Sequence, residues 1–254
     1  MNLRRRRNND CHSGAAHDDI LYFESVMSEK KKQMIFNRYE LTIGMIFNQE
    51  VLIVHGLYTS VLSSAIISHI LAHHYINLVI NVGKCISISD NFKDGDIVIS
   101  DRVIDVNCDL TTVQNVEMGQ IPGFDRVFNV QNDIINYMKN GVNKRTYANS
   151  TNGTYLSSDN LSTQTMDFLK EKKSIFGEKE NLVLDSNSTG VAVACKLFDV
   201  PFIIVKVIEK TLGASSDIES YLKVLDCYIN LGKAVVSTVG DIGRKDILKG
   251  GLPS

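Results

Sequence analysis

Apolar positions along the chain fall into short continuous runs and longer helical repeats, separated by polar turns. The stretches QMIFNRYELTIGMIF and VLIVHG, within residues 33–56, read as two strands with a turn near Asn48 and Gln49. From Thr59 to His74 the apolar residues Val61, Leu62, Ala65, Ile66, Ile70 and Leu71 recur at helical spacing. Leu78–Val82 is a short apolar run, as expected of a strand covered on both faces. Ile97–Val106 reads as another strand, and residues 126–141 as a helix ending near Gly141. Residues 143–160 are rich in Asn, Ser and Thr, and their pattern fits a strand pair or a mobile loop. Beyond them come a helix at 163–172, a strand at Asn181–Leu184, a helix at Ser188–Phe198, a strand at Val200–Ile208 and a long final helix at Asp217–Val239. Strands alternating with helices predict an α/β fold, with a mixed or parallel sheet between two helical layers.

Only three prolines occur and no linker-like segment divides the 254 residues, so a single domain over 14–239 is expected. It lies between a polar, basic tail (1–13) and a C-terminal tail (240–254). Hydrophobic content of 44% supports a full core, and a net charge of −2 predicts no general attraction to nucleic acid or to a membrane surface. The Arg4–Arg7 run reads as a solvated end or as a basic anchor. No apolar stretch follows it and no run reaches membrane-spanning length, so neither a signal peptide nor a membrane span is expected. Five scattered cysteines without CxxC spacing fit a reducing cytoplasm and argue against a zinc site. The Asn-x-Ser/Thr triplets are then expected to carry no sugar.

Other candidate chemistry is sparse. His73 and His74 are adjacent, so on a helix they diverge and make no i,i+4 metal pair. Val82-Gly83-Lys84 lacks the spacing of a phosphate loop. No metal and no cofactor are expected. The final helix carries Leu222, Leu225, Cys227, Tyr228, Leu231 and Val235 on or near one side, as core packing or as a dimer face.

Four blocks carry a resemblance. Residues 76–101 include Gly95-Asp96-Ile97-Val98-Ile99-Ser100-Asp101. Met118–Phe124 contains a Gly-Gln-x-Pro-Gly turn, Leu182–Cys195 is the third block, and Asp199–Lys206 contains a Val-Pro-Phe strand. In order and spacing these resemble the 5′-methylthioadenosine/S-adenosylhomocysteine nucleosidases of the purine nucleoside phosphorylase superfamily, over roughly residues 14–237. The resemblance implies a three-layer α/β/α sandwich with a central, mixed, twisted sheet, a homodimer, and hydrolysis of the bond between ribose C1′ and adenine N9. That chemistry needs an acid to protonate N7, a carboxylate to activate water, and a carboxylate to grip the ribose hydroxyls.

Carried over by position, the resemblance places the water-activating acid at Asp19, in Gly14-Ala15-Ala16-His17-Asp18-Asp19. The other reading of Asp18 and Asp19 is a helix start before Ile20. The ribose-gripping acid falls on Asn187, beside Ser186 and Asp185; Asp185 or Ser186 reads equally as a helix cap. The proton donor falls on Lys210, with Glu209 next to it, unless the register slips by one or the two form a solvent-exposed pair. Ile86 replaces a glycine of the pocket loop, Leu161 an adenine-stacking aromatic, and Tyr58, after Leu57, another glycine. Leu57, Ile86, Leu161, Ser162, Asp185, Ser186 and Glu209 are the expected substrate-binding positions.

Three readings follow. One is a catalytically degenerate member that binds a nucleoside or acts structurally, motivated by the joint changes at 84–86, Leu161, Asn187 and Lys210. A second is a working nucleosidase acting on 5′-thio-substituted adenosines. A third is a phosphorylase or anion-binding relative that uses Lys84 and Lys210.

Overall fold

A computed structural model of the chain describes residues 9–145, 150–177, 181–209 and 226–238. Its centre is a mixed ten-stranded sheet, as the alternation of strands and helices predicts. The hub is the ten-residue strand β5 (Leu78–Ser87). Its beginning pairs in parallel with β1 (Asn9–Ser13), its middle in parallel with β10 (Phe202–Ile208), and its last residues, Ile86 and Ser87, antiparallel with β9 (Leu182–Asp185). From β10 the sheet continues through β6 (Ile97–Asp105) and β8 (Ser150–Ser157) back to β9, so these strands close a ring on β5. On the other side β1 leads out to β4 (Gln49–Val54), β3 (Tyr39–Ile46) and β2 (Ser28–Ile35). Closing a sheet on itself removes exposed edges. At the remaining edge, residues Ser28–Met34 of β2 are exposed and include Glu29 and Lys30–Lys32, charges that discourage pairing with another strand.

Helix α2 (Ser60–His73) starts at Thr59, whose hydroxyl accepts from the Leu62 amide at 3.2 Å, and packs on α6 (Ser188–Leu197). Helix α6 lies against β5, β6, β8 and β10, and α3 (Asn132–Arg145) lies against β6 and β8. The short α1 (Leu21–Val26) follows a 3₁₀ turn at His17–Asp19, and α4 (Thr163–Glu171) and α5 (Lys173–Phe176) precede β9. Residues 226–238 form the last described helix, α7. Tyr137 of α3 donates to the Thr238 carbonyl of α7 at 3.2 Å.

Several local readings change. The expected strand over 33–47 is two strands, because Phe36 and Asn37 take positive φ (+54° and +53°) and turn the chain between β2 and β3. Helix α3 begins at Asn132, since Phe128 and Asn129 pair with β6 as β7 instead, and it runs through Gly141 to Arg145. Among its described residues, the polar stretch at 143–160 contains one strand, β8, buried from Gly153 to Ser157. Of the expected final helix, 217–225 and 239 lie outside the described residues, as do the expected C-terminal tail at 240–254 and the Arg4–Arg7 run. Residues 9–13, expected in a polar tail, are β1, held in parallel between β4 and β5. The sequence hides this strand because its side chains are polar where a buried strand is usually apolar.

Polar groups in β1 must be satisfied or neutral. Asn9 donates to Glu50 Oε1 at 3.0 Å, and Ser13 Oγ accepts from Asn81 Nδ2 at 3.1 Å. His12 is fully buried on the Phe23 ring (centroids 4.7 Å apart), and neither ring nitrogen has a hydrogen-bond partner among the described residues. Burial pushes the Asp10 carboxyl up to about 7 and the His12 imidazole down to about 3. Between about pH 4 and 6.5, folded Asp10 holds a proton that its unfolded form has lost, so its contribution to stability falls as pH rises. Over the same window unfolded His12 holds a proton that its folded form lacks, so its contribution falls as pH drops. The two slopes oppose each other. Asp10→Asn is therefore expected to lose stability on acidification relative to the parent, by about 1.4 kcal/mol per pH unit, and His12→Leu to lose it on alkalinisation at a similar slope. Urea melts at pH 4.5, 5.5 and 6.5 measure both; parallel profiles for the parent and the two variants would contradict the assignment.

Candidate active site

A cavity of about 180 Å³ opens where the C-terminal ends of β5, β9 and β10 meet the turn after β1. β5 and β10 run in parallel, and the ends of parallel strands make a natural ligand crevice, bordered here by the end of antiparallel β9. Lys206 forms one wall. It is the single charge in the all-buried strand FIIVKVI, and its side chain is 2% exposed. Its ammonium donates to Asp185 Oδ2 in a buried ion pair and to Asn187 Oδ1 at 2.6 Å. Asp185 also accepts from the Ser188 hydroxyl and, at 3.2 Å, from the Ser188 amide, so it caps the start of α6 while it pairs with Lys206. Both readings of Asp185, cap and site residue, thus describe one carboxylate.

Asn187 is 1% exposed and has little freedom. Its oxygen accepts from Lys206, and its Nδ2 donates to the Leu57 carbonyl at 2.7 Å. Ser186 lines the cavity, and its hydroxyl donates to the Tyr58 carbonyl at 2.7 Å. Asp19 Oδ2 accepts from the amides of Ala15 (2.8 Å) and Ala16 (2.9 Å), which folds the carboxylate back over its own turn. Its Oδ1 accepts from the Tyr228 hydroxyl of α7. Gly83 is the spacer. A β-carbon there would stand 3.3 Å from Asp19 Oδ2 and 3.7 Å from Lys206 Cε, and φ is +154°. Glycine at this position lets the carboxylate and the lysine stem close in on the backbone from two sides.

At the mouth, Glu209 follows the end of β10, lines the cavity and pairs with Lys84 at 3.1 Å, both side chains about two-fifths exposed. The cavity's apolar contacts come from Ile86, Leu161 and Leu184. Cys85 also lines it, but burial raises the thiol's pKa, which keeps it protonated and unreactive.

Of the positions expected from sequence, the cavity brings together Ile86, Leu161, Asp185, Ser186, Asn187 and Glu209. Asp19 adjoins it across Gly83, and Leu57 contributes through its carbonyl. Ser162 does not line it; its hydroxyl caps α4 by accepting from the Thr165 amide at 3.3 Å. Lys210 lies outside the described residues. Sequence reasoning missed Lys206, although a lone lysine inside an apolar strand is a visible signal. It also took Tyr228 for part of an apolar stripe. Among the described residues, no group of three or more His, Cys, Asp or Glu gathers to hold a metal ion, and no helix is long and apolar enough to cross a membrane.

Comparison with known proteins places this geometry in context. The family model of the phosphorylase superfamily matches residues 16–239. A 5′-methylthioadenosine/S-adenosylhomocysteine nucleosidase of Buchnera aphidicola subsp. Acyrthosiphon pisum (strain APS) is 27% identical over 174 residues, covering 67% of this chain and 71% of that protein. One from Bacillus velezensis is 23% identical over 214 residues, covering 84% of this chain and 90% of its own length. Among solved structures, the nucleosidase of Colwellia psychrerythraea in complex with adenine aligns with a TM-score of 0.81 at 18% identity, over 92% of this chain and 95% of that one. The Neisseria meningitidis nucleosidase in complex with methylthio-immucillin-A aligns with a TM-score of 0.77 at 18% identity, over 93% and 99%. At these identities the structural likenesses establish the fold.

The Lys206–Asp185 pair has a testable energetic consequence. Lys206→Met leaves the Asp185 carboxylate buried without its counter-charge, a change that typically costs roughly 3–5 kcal/mol. Adding Asp185→Asn removes the orphaned charge, so the double variant is expected to regain most of that loss. Denaturant melts of the parent, the single and the double variant check this; equal stability of the single variant and the parent would mean that the pair is not closed off from water.

Proposed function

Because the chain belongs to the phosphorylase superfamily, we propose that its cavity takes a 5′-thio-substituted adenine nucleoside and that its reaction is hydrolysis of the N-glycosidic bond with release of adenine, at a rate reduced by the remodelled site. The observation that supports this reading is that Asp19 Oδ2 lies against Gly83, a lining residue of the cavity whose wall holds Lys206, Asp185 and Asn187. Asp19 is the carboxylate to which a nucleophilic water would give its proton. Glu209, once turned from Lys84 and carrying a proton, is the acid within reach of a base seated at the mouth. Ile86 and Leu161 offer apolar faces for a purine in place of an aromatic stack.

The reduced rate follows from charge. Cleavage develops positive charge on the ribose, and catalysis depends on fixed negative groups aimed at it. Here the oxygen of Asn187 is taken up by Lys206, and Asp185 is neutralised by the same amine. The sugar end of the cavity therefore offers a cationic sugar little beyond Asp19. The same feature favours a second reading, a nucleoside-binding relative without turnover. An anion-binding role through Lys84 and Lys210 finds less support, because Lys84 has a carboxylate partner in Glu209, while Lys210 lies outside the described residues. A paired assembly and a cytoplasmic setting accompany the proposal.

Incubation with methylthioadenosine, with released adenine quantified, tests the reaction. Slow, steady release that disappears in Asp19→Ala is expected, and Glu209→Gln is expected to lower kcat by about 10²-fold, the lower end for a lost general acid. Calorimetric binding without any adenine release would put the non-catalytic reading in its place. No binding and no release would remove both.

A further inference from the structure

We propose that Tyr228 is a positioning residue for Asp19, through which the last described helix sets the orientation of the carboxylate that activates water; the inference rests on the role given to Asp19 above. The Tyr228 hydroxyl donates to Asp19 Oδ1, while the amides of Ala15 and Ala16 hold Oδ2. Two backbone donors fix one oxygen but leave the carboxylate free to rock about it. A third donor on the other oxygen, from a different element, fixes its plane.

The contact is built into the packing of α7. One helical turn beyond Tyr228, at i+4 and so on the same face, Gly232 meets Tyr22. A β-carbon on Gly232 would come within 2.9 Å of Tyr22 Cβ, so the helix approaches this closely only because the position is a glycine. Tyr22 follows Asp19 by three residues. The glycine contact therefore sets the height at which Tyr228 reaches the carboxylate. The phenol stays a donor: burial first, and the Asp19 charge second, push its pKa far up.

Tyr228 also lies near Lys84, the residue after Gly83. The Lys84 ammonium stands 6.0 Å from the Tyr228 ring centroid and pairs with Glu209 at 3.1 Å. Contacts thus run from the carboxylate at the sugar end, through the phenol ring and the lysine, to the acid at the mouth. Substitution at Tyr228 acts on the reacting groups through Asp19, with no contact to substrate required.

Tyr228→Phe removes the hydroxyl and keeps the ring. Loss of one positioning hydrogen bond is expected to lower kcat about tenfold with KM within about twofold. Tyr137→Phe, which loses a hydroxyl bonded to the Thr238 carbonyl on the same helix, serves as the control and is expected to leave kcat unchanged. A readout without turnover accompanies the kinetics. The carboxyl ¹³C resonance of Asp19 at neutral pH is expected to be displaced in Tyr228→Phe and to stay in place in Tyr137→Phe, and Asp19→Asn to displace the Tyr228 ring Cζ resonance reciprocally. If the parent releases adenine and Tyr228→Phe matches it in kcat and in the Asp19 resonance, the proposal is overturned. If the parent releases no adenine, the reading of the reaction falls and the resonances alone decide whether Tyr228 holds Asp19: displacement upholds the contact, and unchanged signals end it.

Discussion

An ammonium group enclosed at the end of β10 needs a counter-charge and hydrogen-bond acceptors within reach, because burying it bare would cost several kcal/mol. Lys206 obtains them from Asp185 and Asn187, and that requirement organises the surrounding structure. Asp185 sits at the end of β9, and β9 is bound to β5 through only Ile86 and Ser87. The ion pair fastens β9 to β10 across the gap where the ring of strands closes. Asp185 in turn caps α6, so the first turn of that helix, the closure of the sheet and the wall of the cavity share one carboxylate. Asn187, drawn in by the same amine, reaches on to the Leu57 carbonyl and so joins the loop before α2 to this cluster.

A second constraint comes from β1. A central strand usually satisfies its two covered faces with aliphatic side chains. Here Asn9, Asp10, His12 and Ser13 are buried, and they are accommodated in two ways. Asn9 and Ser13 have hydrogen-bond partners, whereas burial favours the neutral forms of Asp10 and His12, raising the one pKa and lowering the other. The backbone ladder to β4 and β5 holds the strand regardless, because main-chain pairing is indifferent to side-chain identity. This strand ends in the turn that delivers Ala15 to the cavity and Asp19 to Gly83, so the polar strand and the site are joined by six residues of chain.

The fold was legible where the apolar pattern is strong: β6, α2, α6 and β10 stand close to where periodicity and apolar runs put them, whereas β5 continues five residues past the expected Leu78–Val82, through the stretch read as a pocket loop. It was illegible where pattern and burial part ways. No apolar signal announces β1, and the break between β2 and β3 depends on positive φ at Phe36 and Asn37, residue types of which only asparagine favours that region. The site was legible through local motifs, which placed Ile86, Leu161, Asp185, Asn187 and Glu209 around one cavity. Lys206 escaped because it sits inside a block read as framework, and Tyr228 because its partner lies 209 positions away in sequence. Contacts that distant are set by the closing of the whole domain, and no local pattern encodes them.

The charges of the cavity come in matched sets, and this bears on how such a site accommodates change. Lys84 meets Glu209 at the rim, and Lys206 meets Asp185 inside. An exposed pair such as the first contributes little to stability and leaves both groups able to turn toward a ligand. The enclosed pair is different: each partner is held by the desolvation cost of leaving the other alone, so neither is free to serve a substrate. The two pairs therefore divide the cavity into an adaptable mouth and a fixed interior. Beside that interior, Asp19 is the carboxylate whose partners are all neutral donors, two amides and a phenol. Neutral donors orient a carboxylate without cancelling its charge, so Asp19 keeps its negative field beside Gly83.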